Sequence, residues 1–291
     1  MSGNNGTGVG MMAMALMRAV EADRPQGVRL FDDPVSRQLL PASWQLLMLP
    51  GLKQLLLAYS RWTGPGSLGN LYCRTRCIDD ALRQALAEGL DQVVILGAGF
   101  DCRPYRIEGI QSTQVYEVDL PATQQLKQER LREALGGLPD HVLYVSTDFN
   151  ERQLDEVMAE AGYDPAGRTF FIWEGVTQYI TRQAMNATFR FVARAAGPGS
   201  TIVFTYIHRG IVQGWARSRS DERILDVARR GQSPWITGLD PVEVPAYLAD
   251  RGLAFVHEWW APDYCERYLL PMGRDMDIFT GERVVLARVR A

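Results

Sequence analysis

The chain has 291 residues, of which 46% are hydrophobic and 22% charged, so it can bury a large core and wholesale disorder is excluded. Its 31 Lys and Arg against 34 Asp and Glu leave a net charge of −3, which gives no electrostatic footprint for nucleic acid or an anionic membrane and points to a small-molecule partner. Cys73, Cys77, Cys102 and Cys265 form no C-x-x-C pair and the three histidines are scattered, so neither a disulfide framework nor a metal site is expected.

The first ten residues are rich in Gly and Asn and read as a frayed tail, followed by helical periodicity over residues 11–21. The apolar run 11–17 is too short to span a bilayer and has neither a charged lead-in nor a small-residue cleavage site, which points to a reducing, cytoplasmic setting. Asp33-Pro34 starts a helix, and leucines through residue 57 supply apolar faces until the glycines of residues 63–69 break the pattern. Residues 1–70 are therefore expected to form a helical cover ahead of the main domain, 71–291.

From there helix and strand alternate, the pattern of a mostly parallel, doubly wound α/β sheet. A helix over 75–88 precedes the first strand, 93–96; further strands are expected at 115–118, 142–146, 169–173 and 201–206, and two more near 254–260 and 284–289. Pro121 opens one intervening helix, Asn150 with Gln153 resembles a capping box for the next, and Thr181 caps a third. Asp240-Pro241 with Glu243 reads as the strongest cap in the chain.

Strand one ends in Gly97-Ala98-Gly99, which brings bare backbone to the carboxyl edge of the sheet, where ligands of open α/β folds bind. A tight strand-to-helix turn would use the same residues. Asp119 follows Gly97 by 22 residues at the end of strand two, where a carboxylate can accept from both ribose hydroxyls of an adenosine cofactor, although it could equally cap the helix at Pro121. The third glycine of G-x-G-x-x-G is replaced by Cys102; that glycine serves close helix packing next to a pyrophosphate, and S-adenosylmethionine has no pyrophosphate. Asp148 and Phe149, after strand three, offer an adenine acceptor beside a flanking ring, or with Asn150 a simple helix cap.

These residues carry a family resemblance. Arg74-Thr75-Arg76 with Asp79-Asp80-Ala81-Leu82, the block VVILGAGFDCR ending at Arg103, the run from Tyr116 to Pro121, and Glu174-Gly175-Val176 with Tyr179 resemble the leucine carboxyl methyltransferase family and its bacterial O-methyltransferase relatives; Arg18-Ala19 and Phe31-Asp32-Asp33-Pro34 match as well. The resemblance implies a class I methyltransferase with a seven-stranded sheet whose last strand is antiparallel. It further implies that Arg74 binds the methionine carboxylate of S-adenosylmethionine, that Gly97, Ala98 and Gly99 pass its methionine moiety, that Asp119 holds ribose, that Asp148 and Phe149 hold adenine, and that Glu174 lies near the amino group. Asp101, Glu117, Leu120 and Tyr179, in the same blocks, fall on the cofactor side. The long polar insertions of protein-methylating members are absent from this sequence, which favours a small-molecule acceptor over a peptide or protein C-terminus.

A phenol or enol acceptor needs a base, whereas a carboxylate is already ionised at neutral pH. His208, just past strand five, is the candidate base, and the aromatic character of the flanking segments favours a hydroxyl acceptor over a carboxyl. Residues 207–239 form a long connection that reads as a lid insertion facing Trp44 and Trp62, with Tyr206, Arg209 and Trp235 as candidate substrate contacts. A surface helix with solvated charges would look the same. A nicotinamide-dependent oxidoreductase or a non-catalytic cofactor-binding module remains as an alternative on this fold.

Overall fold

The computed structural model describes residues 4–148, 152–215, 219–230 and 234–290. Helix α1 spans Asn4–Ala22, starting seven residues before the expected periodic segment. Met11 and Met12 pack against the core, so tertiary contact carries the helix toward its glycine-rich start, against local propensity. A short helix, Pro34–Gln38, begins as expected at Asp33, whose Oδ1 accepts from Ser36 N at 3.0 Å. Next come α2 (Pro50–Thr63) and α3 (Ser67–Ala87).

Helix α3 begins eight residues earlier than its expected start because Leu68, Leu71 and Tyr72 are buried and hold the first turns. Gly69, which reads as a breaker in the sequence, lies inside this helix. A Cβ there would come within 2.2 Å of the Asp277 carbonyl oxygen, so the glycine permits close backbone approach.

The remaining chain alternates as β1 (Gln92–Leu96), β2 (Gln114–Asp119), α4 (Pro121–Leu135), β3 (Val142–Ser146), α5 (Leu154–Glu160), β4 (Thr169–Trp173), α6 (Arg182–Arg194) and β5 (Thr201–Ile207). After it come α7 (Arg219–Arg230), α8 (Val244–Ala249), β6 (Leu253–Trp259) and β7 (Glu282–Val289). Thr181 caps α6 through Oγ1 on Ala184 N at 3.2 Å. Asp240 differs from expectation: its Oδ1 accepts from Val242 N at 3.1 Å, but residues 241–243 form a turn and α8 begins only at Val244. An Asx turn has taken the place of the first helical turn. The expected cap at Asn150 lies outside the described residues.

The strands form one sheet in the order β3-β2-β1-β4-β5-β7-β6, parallel except for β7, which runs antiparallel to both its neighbours. This is the seven-stranded α/β methyltransferase architecture. Strands β1 and β4 are buried along their whole length, as parallel strands covered on both faces must be. Val93 and Ile95 join one apolar layer with Leu16, Leu39, Leu71 and Ile78, while Val94 and Leu96 join the opposite layer with Phe189, Val192 and Leu248. Each such side chain contributes roughly 1.5 to 3 kcal/mol on full burial. The N-terminal helices thus share a core with the sheet. No helix among the described residues is long and apolar enough to cross a membrane.

Candidate cofactor-binding site

Strand β1 turns sharply after Leu96. Gly97 and Ala98 both donate to the Val118 carbonyl, at 2.8 and 3.1 Å, which ties the turn to the end of β2. Gly97 has φ of +69°, and a Cβ there would lie 2.4 Å from Val176 Cγ2, so position and packing both require glycine. The next donor, Gly99 N, meets Asp119 Oδ2 at 2.6 Å, and Leu120 N meets Oδ1 at 2.7 Å. Burial raises the Asp119 carboxyl above its ordinary range, opposed by these two backbone donors. Asp119 is thereby fixed at the edge of β2, with Asp148 following β3 beside it.

On the other side of the turn, Glu174 and Gly175 follow β4. Arg74, reaching from α3, donates from Nε to Glu174 Oε1 at 2.7 Å, and Arg103 Nη1 donates to Glu174 Oε2 at 2.7 Å. Burial alone would push Glu174 up, yet the two guanidiniums hold it down at about 2, so it stays a carboxylate at any working pH. Arg103 also holds Asp101 Oδ2 at 2.6 Å and Asp79 Oδ1 at 2.8 Å. From α1, Arg18 Nη2 donates to the Phe100 carbonyl at 2.5 Å and its Nε to Asp33 at 3.2 Å, which ties α1 to the segment after the turn. A Cβ on Gly99 would be 3.4 Å from Met11 Sδ.

An amino acid zwitterion needs a cation for its carboxylate and an anion for its ammonium, and Arg74 with Glu174 supplies both. A carboxylate at the end of β2 suits a ribose diol, and a turn without side chains suits the link between the two groups. The residues present therefore fit S-adenosylmethionine, which joins an adenosine to an amino acid through a sulfonium.

The structure brings together Arg74, Gly97, Ala98, Gly99, Asp101, Asp119, Leu120, Asp148 and Glu174 at one sheet edge. Phe149 lies outside the described residues. Glu117 is fully buried: its Oε1 accepts from Lys127 Nζ at 2.8 Å and from the Tyr105 hydroxyl at 2.9 Å, and Lys127 Nζ also donates to the Asp101 carbonyl at 2.7 Å. By strand alternation Glu117 shares its face with Asp119, two residues on, and lies opposite Tyr116 and Val118. Tyr179 is 44% exposed and its hydroxyl accepts from Trp235 Nε1 at 3.4 Å; the Trp235 ring lies 6.3 Å from that of Phe279.

The other candidate residues have the following partners. Tyr206 is 1% exposed and turned into the opposite layer, where its hydroxyl donates to Glu258 Oε1 at 2.7 Å. Strand alternation puts it in the apolar layer with Phe204. Arg209 forms a surface ion pair with Glu243, at 2.8 and 2.9 Å, and with Asp240 at 3.4 Å. His208 caps the short helix Arg209–Val212, its Nδ1 accepting from Gly210 N at 2.9 Å. A neutral ring whose Nδ1 accepts carries its proton on Nε2, so the basic nitrogen faces the backbone in this arrangement.

Glu282, Asn70 and Arg103, which join the hydrogen-bond network around Arg74 and Glu174, were not singled out by the sequence reading. Arg103 ends the glycine block and could have been flagged there; Glu282 is 208 residues from its partner Arg74, with no local signal.

The sequence profile of the leucine carboxyl methyltransferase family matches residues 11–193, and the chain belongs to that family. It is 30% identical over 260 residues to a candidate S-adenosyl-L-methionine-dependent methyltransferase from Parafrankia, covering 86% of this chain and 77% of that one. A Frankia alni protein of the same description is 31% identical over 254 residues, covering 84% and 85%. Among solved structures, a candidate methyltransferase from Thermobifida fusca superposes with a TM-score of 0.55 at 14% identity, covering 84% of this chain and 90% of that one. At that identity the likeness shows the fold alone.

Proposed function

We propose that the protein transfers a methyl group from S-adenosylmethionine to an oxygen of a small molecule. The observation that carries this reading is the Arg74–Glu174 pair, a receptor for an amino acid zwitterion, at the same sheet edge as Asp119. The cofactor supplies a methyl group already activated on a sulfonium, so the chain's own residues need to bind, align and exclude water. Arg74 and Glu174 hold the amino acid end, Asp119 the ribose, and Asp148 with Phe149 the adenine. Tyr179 and Trp235 line the substrate side.

In this reading residues 1–70 cover a catalytic domain of residues 71–291, and 207–239 act as a lid. Arg223 Nη1 on the Trp62 carbonyl at 3.3 Å supports the pairing of lid and cover. The buried thiols of Cys73, Cys77 and Cys102 suit a reducing compartment such as the cytoplasm.

The sequence favours a hydroxyl acceptor with His208 as base. Its engagement as a helix cap favours instead an acceptor that needs no base, a carboxylate. Incubation with S-adenosylmethionine and matched series of phenols and carboxylic acids separates the two. Methyl esters formed at a rate flat from about pH 6 to 8 are expected; methyl ethers formed at a rate rising through about pH 6.5 would restore the base.

A further inference from the structure

Glu282 is the first residue of β7, and the reversed direction of that strand places it opposite Ile207 at the carboxyl edge of β5, beside the cofactor site. It is 5% exposed. Both its oxygens accept from Arg74 Nη1, at 2.6 and 2.7 Å, and Oε2 also accepts from Asn70 Nδ2, one helical turn before Arg74 on α3. Burying a carboxylate is costly unless it is paired, and here the pairing is spent wholly on one arginine and its neighbour.

We infer that Glu282 is a positioning residue that aims the Arg74 guanidinium at the cofactor's carboxylate. Arg74 directs Nε to Glu174 and Nη1 to Glu282, which leaves Nη2 as the donor facing Gly175, 3.9 Å from where a Cβ on that glycine would stand. A guanidinium fork pairs most strongly when two of its nitrogens meet one carboxylate. Without Glu282, Arg74 is free to swing onto Glu174 in that two-point arrangement, and the amino acid receptor closes on itself. Glu282 holds the cation open from one side while Arg103 holds Glu174 from the other. Asn70 fixes Glu282 in turn.

The inference rests on the reading that Arg74 binds the cofactor's carboxylate. Calorimetric titration of wild type, Glu282→Gln, Glu282→Ala and Asn70→Ala with S-adenosylmethionine and with adenosine tests it, with thermal melts alongside. Glu282→Ala is expected to weaken S-adenosylmethionine binding about 10- to 100-fold and Glu282→Gln, which keeps one acceptor, by less, while adenosine binding changes by less than about twofold. KM for the cofactor should rise and kcat at saturation hold. Should Glu282→Ala fail to fold, Glu282→Gln and Asn70→Ala, expected to weaken S-adenosylmethionine several-fold and spare adenosine, decide the matter. Unchanged S-adenosylmethionine affinity in Glu282→Gln and Asn70→Ala, or a parallel loss of adenosine, overturns the inference and leaves Glu282 a structural residue. A wild type that binds no S-adenosylmethionine overturns the cofactor reading itself.

Discussion

The Arg74 guanidinium meets the Glu174 carboxylate at 2.7 Å across one hundred residues of sequence, joining the helix before the sheet to the end of its fourth strand. In the proposed function this pair of opposite charges beside a glycine receives the amino acid end of the cofactor, and the roles proposed for the site follow from that.

Arg74→Ala is expected to weaken S-adenosylmethionine binding by roughly 1.5 to 3 kcal/mol, about 10- to 150-fold, and to leave adenosine binding almost unchanged. Asp119→Ala should weaken both. Titrations of the two variants with both ligands check this, and identical behaviour toward adenosine would show the roles to be misassigned.

Gly97→Ala places a Cβ 2.4 Å from Val176 Cγ2 at a φ of +69°. Strain of about 1 to 2 kcal/mol and overpacking of about 1 to 3 kcal/mol should lower stability and cofactor affinity together. Gly137→Ala, where a Cβ meets nothing within 4 Å, is the control and should melt with the wild type.

Burial pushes the Glu117 carboxyl up to about 7, against the pull of Lys127 and Tyr105. The folded protein therefore holds this proton more tightly than the unfolded chain, whose glutamates titrate near 4.5. The group's contribution to stability is fully present below pH 4.5 and is lost as pH rises through about 7. Denaturant melts of wild type and Glu117→Gln at several pH values should show the wild type losing stability relative to the variant across that window. A difference independent of pH contradicts the shift.

His208→Asn preserves an acceptor for Gly210 N–H and should keep turnover within a few-fold of wild type, whereas His208→Ala should cost about 0.5 to 2 kcal/mol of stability. A loss of about 10²- to 10⁴-fold in turnover for the Asn variant would identify the ring as a general base after all.

The positions of the strands along the chain, the glycine turn and Asp119 at the end of β2 were legible because each depends on local pattern: apolar runs, a glycine pair and a carboxylate at a strand end. Glu282 was not, because its place follows from an antiparallel strand that brings a distant residue back to the site. The partners of Tyr206 and Glu117 were not legible either, because Glu258 and Lys127 are brought to them by packing between elements rather than by local pattern. The cap made by His208 was not legible because an imidazole that accepts from the backbone and one that accepts from a substrate look alike in sequence.

The most direct test of the cofactor assignment is calorimetric titration of the purified wild type with S-adenosylmethionine and, separately, with NAD. Saturable binding of S-adenosylmethionine at one site per chain and no heat from NAD is the expected result. Binding of NAD at micromolar concentration with none of S-adenosylmethionine would contradict the reading of Arg74, Glu174 and Asp119 as a methyltransferase cofactor site.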